Sequence, residues 1–480
     1  MSVDFEFIEG LEENEFRDHV ATVDKHGKRI WIYPKKPQGP FYQYRKYVSY
    51  FLLAVLFALP FIKYNGRPFV QFNIPQGEFT IFGIFFSPQD FYLFVIAMLI
   101  GLLFIVLFTV IYGRLFCGWV CPQTIFMEMV FRRIEYWIEG DANAQRKLNA
   151  SPWTTDKIIK KVSKQAIFIF IALIISHLFL SYIIGVDEVF KIITDPISEH
   201  WKGFIAMVIF SFLFYGVFAF MREQVCTTIC PYGRLQGVML DENSLAVSYD
   251  FVRGEPRGKL TRKKIQDAEA SGVTLNQGDC IDCKLCVQVC PTGIDIRNGT
   301  QLECVNCTAC IDACDEVMMK IDKPTQLIRI DSYNGIVHKK QSLFNTRVIA
   351  YSVVLAILIG LESFLMLSRS DVDTLILRTP GMTYQDNKDG YISNLYNYKL
   401  NNKTDDEYPV TFKVTNIDGA LIEVVGEGAK TLKKQTSEGV LFIKIPKDKL
   451  KGQKTDLEIS VLHDGQIVDE TSSTFFGPIK

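Results

Sequence analysis

Apolar and polar residues are segregated into blocks along this chain. The runs 47–62, 91–112, 166–184, 203–220 and 348–361 are almost wholly apolar, and most charges lie between them. A helix that crosses a bilayer core needs about 20 apolar residues, within a working range of roughly 17 to 25. Five membrane spans are therefore expected. The run 47–62 ends near Pro60, and a buried core helix is its alternative. The run 79–86 is too short to span and is expected to rest at the interface. Past the last block the period shortens to two. Val410-Thr411-Phe412-Lys413-Val414, the stretch 440–445, the stretch 457–461 and the stretch 396–400 alternate like half-buried strands between Asn, Asp, Gly and Lys-rich turns. They predict a small sandwich of immunoglobulin type. It has no cysteine and no His or Met cluster, so its expected role is docking or assembly.

The formal net charge of −1 hides an asymmetry. Residues 63–90 carry only Lys63 and Arg67, and residues 185–202 only Lys191 and Lys202. Residues 113–165 carry nine basic side chains, among them Arg114, Arg132, Arg133, Lys160 and Lys161. Basic residues beside spans resist translocation, so that loop is expected in the cytoplasm. The first 46 residues, polar and mixed in charge, read as a cytoplasmic leader rather than a signal peptide. Five spans then place everything after Leu367 on the far side. No strongly basic domain points to nucleic acid.

The twelve cysteines add chemistry to this frame. Eight form Cys280-x2-Cys283-x2-Cys286-x3-Cys290-Pro291 and Cys304-x2-Cys307-x2-Cys310-x3-Cys314, the spacing of a bacterial two-cluster ferredoxin. Three cysteines of each run hold one [4Fe-4S] cluster and the fourth crosses to the other. The expected ligand sets are Cys280, Cys283, Cys286 and Cys314, and Cys304, Cys307, Cys310 and Cys290. Structural zinc would want a different rhythm, and a cytoplasmic setting disfavours disulfides.

The other four occur as Cys117-Gly118-Trp119-Val120-Cys121-Pro122 and Cys226-Thr227-Thr228-Ile229-Cys230-Pro231, 109 residues apart, each just past the end of a span. This is a duplicated helix pair ending in Cys-x3-Cys-Pro. If each motif starts a helix, its two cysteines share a face and its thiolates are favoured by the helix dipole. Two such pairs could take Cu(I), and the four together Cu(I) or another iron-sulfur cluster. Ordinary buried cysteines are the plain alternative, although that leaves the duplication unexplained.

Histidines are few. Only His177 lies in a span, while His19, His26, His200, His338 and His463 lie outside, and no Cys-x2-Cys-His occurs. A membrane haem is thereby disfavoured. His177 is either a functional intramembrane group or an imidazole bonded to nearby backbone. Glu362, near the end of the last span, is expected to point to the interface. Residues 241–277 are polar and basic, with Arg253-Gly254-Glu255-Pro256-Arg257-Gly258 marking turns, and read as a solvated linker or a docking surface. No G-x-G-x-x-G fingerprint is present, so a separate reductase or quinol must supply electrons.

Together these features resemble the cytochrome c oxidase accessory proteins of the CcoG family, also called FixG or RdxA. The resemblance rests on Arg29-Ile30-Trp31-Ile32-Tyr33-Pro34, both Cys-x3-Cys-Pro motifs, the Arg253 to Gly258 segment, the two ferredoxin runs and the terminal sandwich. Asp315 departs from it, standing where the family repeats a proline after the fourth cysteine. The resemblance implies a bacterial inner-membrane protein needed to assemble the cbb-type oxidase, acting as a reductase of Cu(II) to Cu(I). In that reading Cys117, Cys121, Cys226 and Cys230 bind or reduce copper and the eight ferredoxin cysteines relay electrons. Expected partners are cbb-type oxidase subunits or copper chaperones, an electron donor of unknown kind, membrane lipid and, as one option, a second copy of the chain. A quinol dehydrogenase and a non-enzymatic assembly scaffold are the rivals.

The expected architecture is a multi-domain integral membrane protein. Its parts are a leader (1–46), a helical membrane domain with four spans (47–240), a linker (241–277), a two-cluster ferredoxin domain (278–345), a fifth span (346–367) and a periplasmic all-β immunoglobulin-like domain (368–480).

Overall fold

The computed structural model describes residues 22–23, 26, 28–64, 67–74, 78–86, 90–259, 277–340, 344–369, 372–381, 384–387, 389–403, 407–426, 428–431, 436–450 and 452–478. His19 and residues 260–276 of the expected linker lie outside them.

Four helices among the described residues are long and apolar enough to cross a membrane: Phe91–Tyr112, Thr155–Ile184, Trp201–Met221 and Thr346–Leu367. Each contains one of the apolar runs read from the sequence. The run 47–62 lies in a helix, Pro40–Ala58, that continues through a tight turn at Leu59–Phe61. That helix is not one of the four, because it starts seven residues early and takes in Arg45 and Lys46. The run 79–86 forms the paired strands Glu78–Ile81 and Ile84–Phe86, which join Val70–Asn73 in an antiparallel sheet.

The chain forms two compact units. In the first, residues 126–131 widen into a π-turn that seats Phe131 against Phe218 and Phe168, both at 4.9 Å between ring centroids. The Cys280–Cys314 region builds its own core around Cys280, Cys286, Val287, Ile294, Ile311 and Met318. Ala246–Tyr249 pairs antiparallel with Ile328–Asp331 across this core. Residues 241–259 are thus part of the ferredoxin fold rather than a solvated linker. Burial orders that stretch: Ala246, Val247 and Tyr249 are all buried. A single helical turn, Phe251–Gly254, follows, where only turns were expected, because Asp250 accepts the Arg253 N–H as its N-cap at 3.0 Å.

The second unit contains the terminal sandwich. One sheet orders its strands Leu421–Val424, Thr436–Pro446, Tyr391–Asn402 and Val372–Arg378; the other orders Thr411–Val414, Lys454–His463 and Gln466–Phe476. Inward residues of both, including Tyr396, Leu441, Ile443, Leu457, Ile459 and Phe475, are fully buried in one core. Three of the four stretches read as alternating strands, around 396–400, 440–445 and 457–461, lie wholly within these strands, and the fourth begins one residue before Thr411. At the other end of this unit Asp90 pairs with Arg369 at 2.5 Å and Lys403 at 3.0 Å.

Candidate metal centres and their surroundings

Each ferredoxin run is a loop followed by a helix, and the two loops repeat a backbone signature. The residues flanking the second cysteine, Asp282 and Lys284 in one run, Asn306 and Thr308 in the other, all have positive φ between 51° and 64°. Such residues curl a chain tightly and turn successive N–H groups toward one side. The helix Leu285–Gln288 then carries Cys286, with Cys290 two residues past its end, and Ala309–Lys320 carries Cys310 and Cys314. The first ends before Pro291. The second runs on through Cys314 because Asp315 replaces the proline, and Asp315 accepts the Gln326 N–H at 2.7 Å.

The folding of these loops crosses the two runs. One cavity is lined by Cys304, Cys307 and Cys310 with Cys290, and a second by Cys280, Cys283 and Cys286 with Cys314. Cys286 reaches the first as well. Their other walls are mainly apolar, with Val247, Ile294 and Val305 in one and Tyr249, Met318 and Leu327 in the other. Burial pushes the Cys304 and Cys314 thiols up to about 12 and Cys307 to about 11. Thiols that would stay protonated alone become good ligands once a soft metal supplies positive charge. Four thiolates tetrahedral about zinc at about 2.3 Å would lie under 4 Å apart. Among the described residues the one group of three or more such ligand atoms within 4.8 Å of one another is Asp195, Glu199 and His200. No three of the ferredoxin thiols come that close, so a single zinc ion does not suit either set. The donor set therefore fits iron-sulfur clusters.

The Cys-x3-Cys-Pro motifs differ from expectation in one respect. Cys117 sits in a short helix, Leu115–Trp119, and Cys121 is the N-cap of the next, Pro122–Ile125. Cys226 lies in a π-turn, Val225–Ile229, and Cys230 caps Pro231–Met239. The two cysteines of a motif therefore do not share a continuous helical face. Proline forces the residue before it out of the helical region, and Cys121 and Cys230 have ψ of 123° and 114°. Both prolines take the first helical position, as the repeat predicted near that turn.

The four thiols nonetheless lie near enough to feel one another's charge, although no three of them come within 4.8 Å of one another. Burial raises Cys226 to about 12, and Cys121, Cys117 and Cys230 each add to the rise. Burial also raises Cys117, opposed by Gln236 and Arg114. Gln236 donates to the Cys117 sulfur at 3.4 Å, with its oxygen held by Arg114 Nε. Cys117 shares a core with Cys307, Cys310 and Val305 of the second ferredoxin run. A Cβ on Gly118 would lie 2.5 Å from the Val305 carbonyl and 2.8 Å from that of Asn306, so only glycine permits this approach. Arg45 closes the junction by donating to the Gly118 carbonyl at 2.7 Å.

Several side chains at this end of the unit were not singled out from sequence, except that Arg132 was counted among the basic residues of 113–165. Arg132, Glu128, Glu135, Glu139, Arg222 and Glu223 are all at least 92% buried. Arg222 grips Glu135 with two bonds of 3.0 and 2.8 Å, and Lys164 meets Glu139 at 2.9 Å. Their signal was charge crowding beside span ends. His177 Nδ1 lies 2.5 Å from the Leu173 carbonyl, its own helix's backbone.

Comparison with known proteins agrees with this geometry. A model described as a 4Fe-4S dicluster domain matches residues 221–333, one described as a 4Fe-4S binding domain matches 94–141, and one described as the IG-like fold at the C-terminus of FixG matches 363–478. The nitrogen fixation protein FixG of Rhizobium meliloti is 32% identical over 442 residues, covering 83% of this chain and 82% of that protein. The chain belongs to the FixG/RdxA family. Protein RdxB of Cereibacter sphaeroides is 31% identical, covering 85% of this chain and 87% of that protein, and its RdxA is 30% identical, covering 80% and 81%. A solved FixG-related protein from Vibrio parahaemolyticus aligns with 22% of this chain and 97% of its own, at 15% identity and a TM-score of 0.20. The chain is thus an iron-sulfur protein with membrane-type helices and an immunoglobulin-like domain.

Proposed function

We propose that this protein transfers single electrons to the four-thiol site at the helix ends and there reduces Cu(II) to Cu(I), for insertion into a cbb-type haem-copper oxidase. The eight ferredoxin cysteines, in the two crossed sets above, would hold two [4Fe-4S] clusters. When bound, these supply one-electron chemistry across a wide range of potentials. The observation that carries the reading is the shared core of Cys117 with Cys307 and Cys310, which joins the thiol site to the second ligand set.

The thiols suit the substrate. Copper(I) is soft and prefers thiolate, whereas Cu(II) prefers harder ligands in a tetragonal arrangement. A sulfur-lined site, with Cys117 buried and Cys121, Cys226 and Cys230 half-buried, therefore favours the reduced ion. Gln236, aligned by Arg114, gives Cys117 a hydrogen bond that steadies negative charge on sulfur. In this reading the leader, the basic loop 113–165 and the ferredoxin part face the bacterial cytoplasm. Pro40–Ala58 completes five spans, and the terminal domain is periplasmic, where it docks on oxidase subunits or a copper chaperone.

A second reading has its own support. The two matched models that cover the Cys-x3-Cys-Pro motifs are both described by 4Fe-4S binding, and four neighbouring thiols equally suit a third cluster. Iron analysis separates the two. About eight irons per chain accompany two cubanes, and about twelve would accompany three. Anaerobic addition of Cu(II) to the reduced protein, with Cu(I) trapped by a chelator, tests the copper step itself.

A further inference from the structure

A cavity of about 240 Å³ opens among Trp31, Tyr33, Glu135, Glu139, Lys161 and Lys164. We infer that it is a binding site for the head group of a lipid-soluble hydroquinone, the electron donor of this protein. The inference rests on the electron-transfer reading above and names its missing reductant.

Position comes first. The cavity is also bounded by Gln165 and Phe220. Gln165 is the last polar residue before the apolar run 166–184, and Phe220 the last apolar residue of 203–220. The site therefore lies where polar chain meets membrane-length helix, the level at which amphipathic rings collect. A ligand with a polar ring and an apolar tail is presented correctly there. A fully water-soluble cofactor has no reason to be.

Size and chemistry narrow the class. Drug-sized ligands occupy pockets of roughly 300 to 1,000 Å³, so this cavity suits one substituted ring and is too small for a dinucleotide or flavin. Hydroquinone donates two O–H groups and becomes a quinone with two carbonyl acceptors. The walls hold both complements. Glu135 and Glu139 are acceptors, 3% and 5% exposed. Lys161 and Lys164 are donors, each 2.9 Å from Glu139 Oε1. The Tyr33 hydroxyl does either and is held by Asn149. Trp31 is fixed by guanidinium groups 4.4 and 5.0 Å from its ring centroid, those of Arg29 and Arg222.

The balance closes with groups already named. Oxidising one hydroquinone breaks two O–H bonds, releasing two protons and two electrons and leaving the quinone. Glu139 is placed to take the protons in turn, and Lys161, 22% exposed, lies between it and water. The electrons leave singly to iron-sulfur clusters as the oxidant. The wall runs directly into the thiol site: Arg222 grips Glu135, and the carbonyl of the next residue, Glu223, accepts the Cys226 N–H at 3.1 Å.

The test uses the full chain in lipid nanodiscs with decylubiquinone and decylubiquinol as probes. Calorimetry should show saturable quinone binding near one per chain, weakened roughly ten-fold in Glu139→Gln through loss of a charged hydrogen-bond partner. Lys161→Gln, at the rim, should weaken it similarly and guards against a misfolded Glu139 variant. Anaerobic decylubiquinol should bleach the iron-sulfur absorbance of wild type, with its half-saturating concentration raised in both variants while dithionite still bleaches them fully. Quinone that only partitions into the lipid, or that binds both folded variants as it binds wild type, overturns the inference. Should dithionite-reduced protein reduce Cu(II) without any quinone binding, this site falls and the electron-transfer reading stands. Should quinone bind saturably while reduced protein leaves Cu(II) untouched, the copper reading falls and the site stands.

Discussion

Asp312 Oδ2 accepts the Tyr42 N–H at 2.8 Å, so a side chain between Cys310 and Cys314 caps a helix 270 positions away in sequence. Its other oxygen takes the Phe41 N–H at 3.1 Å. Pro40 begins that helix, and a Cβ on Gly39 would collide with the Asp312 carboxyl. The helix Pro40–Ala58 and the ferredoxin part are therefore joined by hydrogen bonds that satisfy otherwise orphaned donors. Replacing Asp312 with Ala should cost about 0.5–2 kcal/mol, the usual worth of a cap. Thermal unfolding of the purified protein, followed in parallel by cluster absorbance, should show both transitions falling together.

The crossed ligand sets make a sharper prediction. Cys290→Ser should impair the same cluster as Cys304→Ser or Cys307→Ser, and Cys314→Ser the same as Cys280→Ser. Electron paramagnetic resonance of the reduced variants should sort the five into those two groups. Signals grouped by sequence run, with Cys290 siding with Cys280, would contradict the crossing.

Gly118 offers a test of the junction. An alanine methyl there meets two backbone carbonyls, which cannot move aside as a flexible side chain would. Gly118→Ala should leave both ferredoxin clusters assembled yet lower electron transfer from them to the thiol site by about ten-fold or more, as small displacements do in positioned reactions. Stopped-flow oxidation of the reduced protein checks it.

Glu135 gives a pH dependence. Burial pushes its carboxyl up, but Arg222, Lys164 and Arg132 outweigh burial and hold it below the usual range. A carboxyl lowered in the folded state adds stability that is complete above its unfolded value and lost as pH falls through the folded one. Glu135→Gln should cost up to about 3–5 kcal/mol near neutrality, since it leaves the buried Arg222 charge only Glu223, at 3.8 Å. The difference in melting temperature from wild type should shrink as pH falls below about 4.

What was legible in the sequence followed its locality. The ferredoxin sets could be read because spacing alone decides which cysteines share a loop, and the long apolar runs because helix length is fixed by the bilayer. A shared face was expected only if each motif starts a helix; the restriction that proline places on Cys121 and Cys230 makes each of them the cap of a new helix instead. The strand Ala246–Tyr249 was hidden in a polar linker because its partner, Ile328–Asp331, lies some 80 residues on. Cavity residues such as Tyr33, Glu135 and Lys164 come from three distant segments, and only folding shows that their charges meet.

The proposed orientation has a direct check. Alkaline phosphatase fused after Lys480 should be active in cells if, as proposed, Pro40–Ala58 is a fifth span that carries the chain across. An abundant but inactive fusion would remove Pro40–Ala58 from the spans.

The central claim is that electrons leave the ferredoxin part through the four Cys-x3-Cys-Pro thiols to copper. The most direct measurement is the anaerobic reoxidation of dithionite-reduced protein by Cu(II), with Cu(I) trapped as it forms, in wild type and in the Cys226→Ser, Cys230→Ser double variant. Two [4Fe-4S] clusters should persist in both, and Cu(I) formation should fall roughly 10- to 100-fold in the variant, the scale on which metal sites respond to lost ligand support. Equal rates of Cu(I) formation in the two proteins would contradict the account.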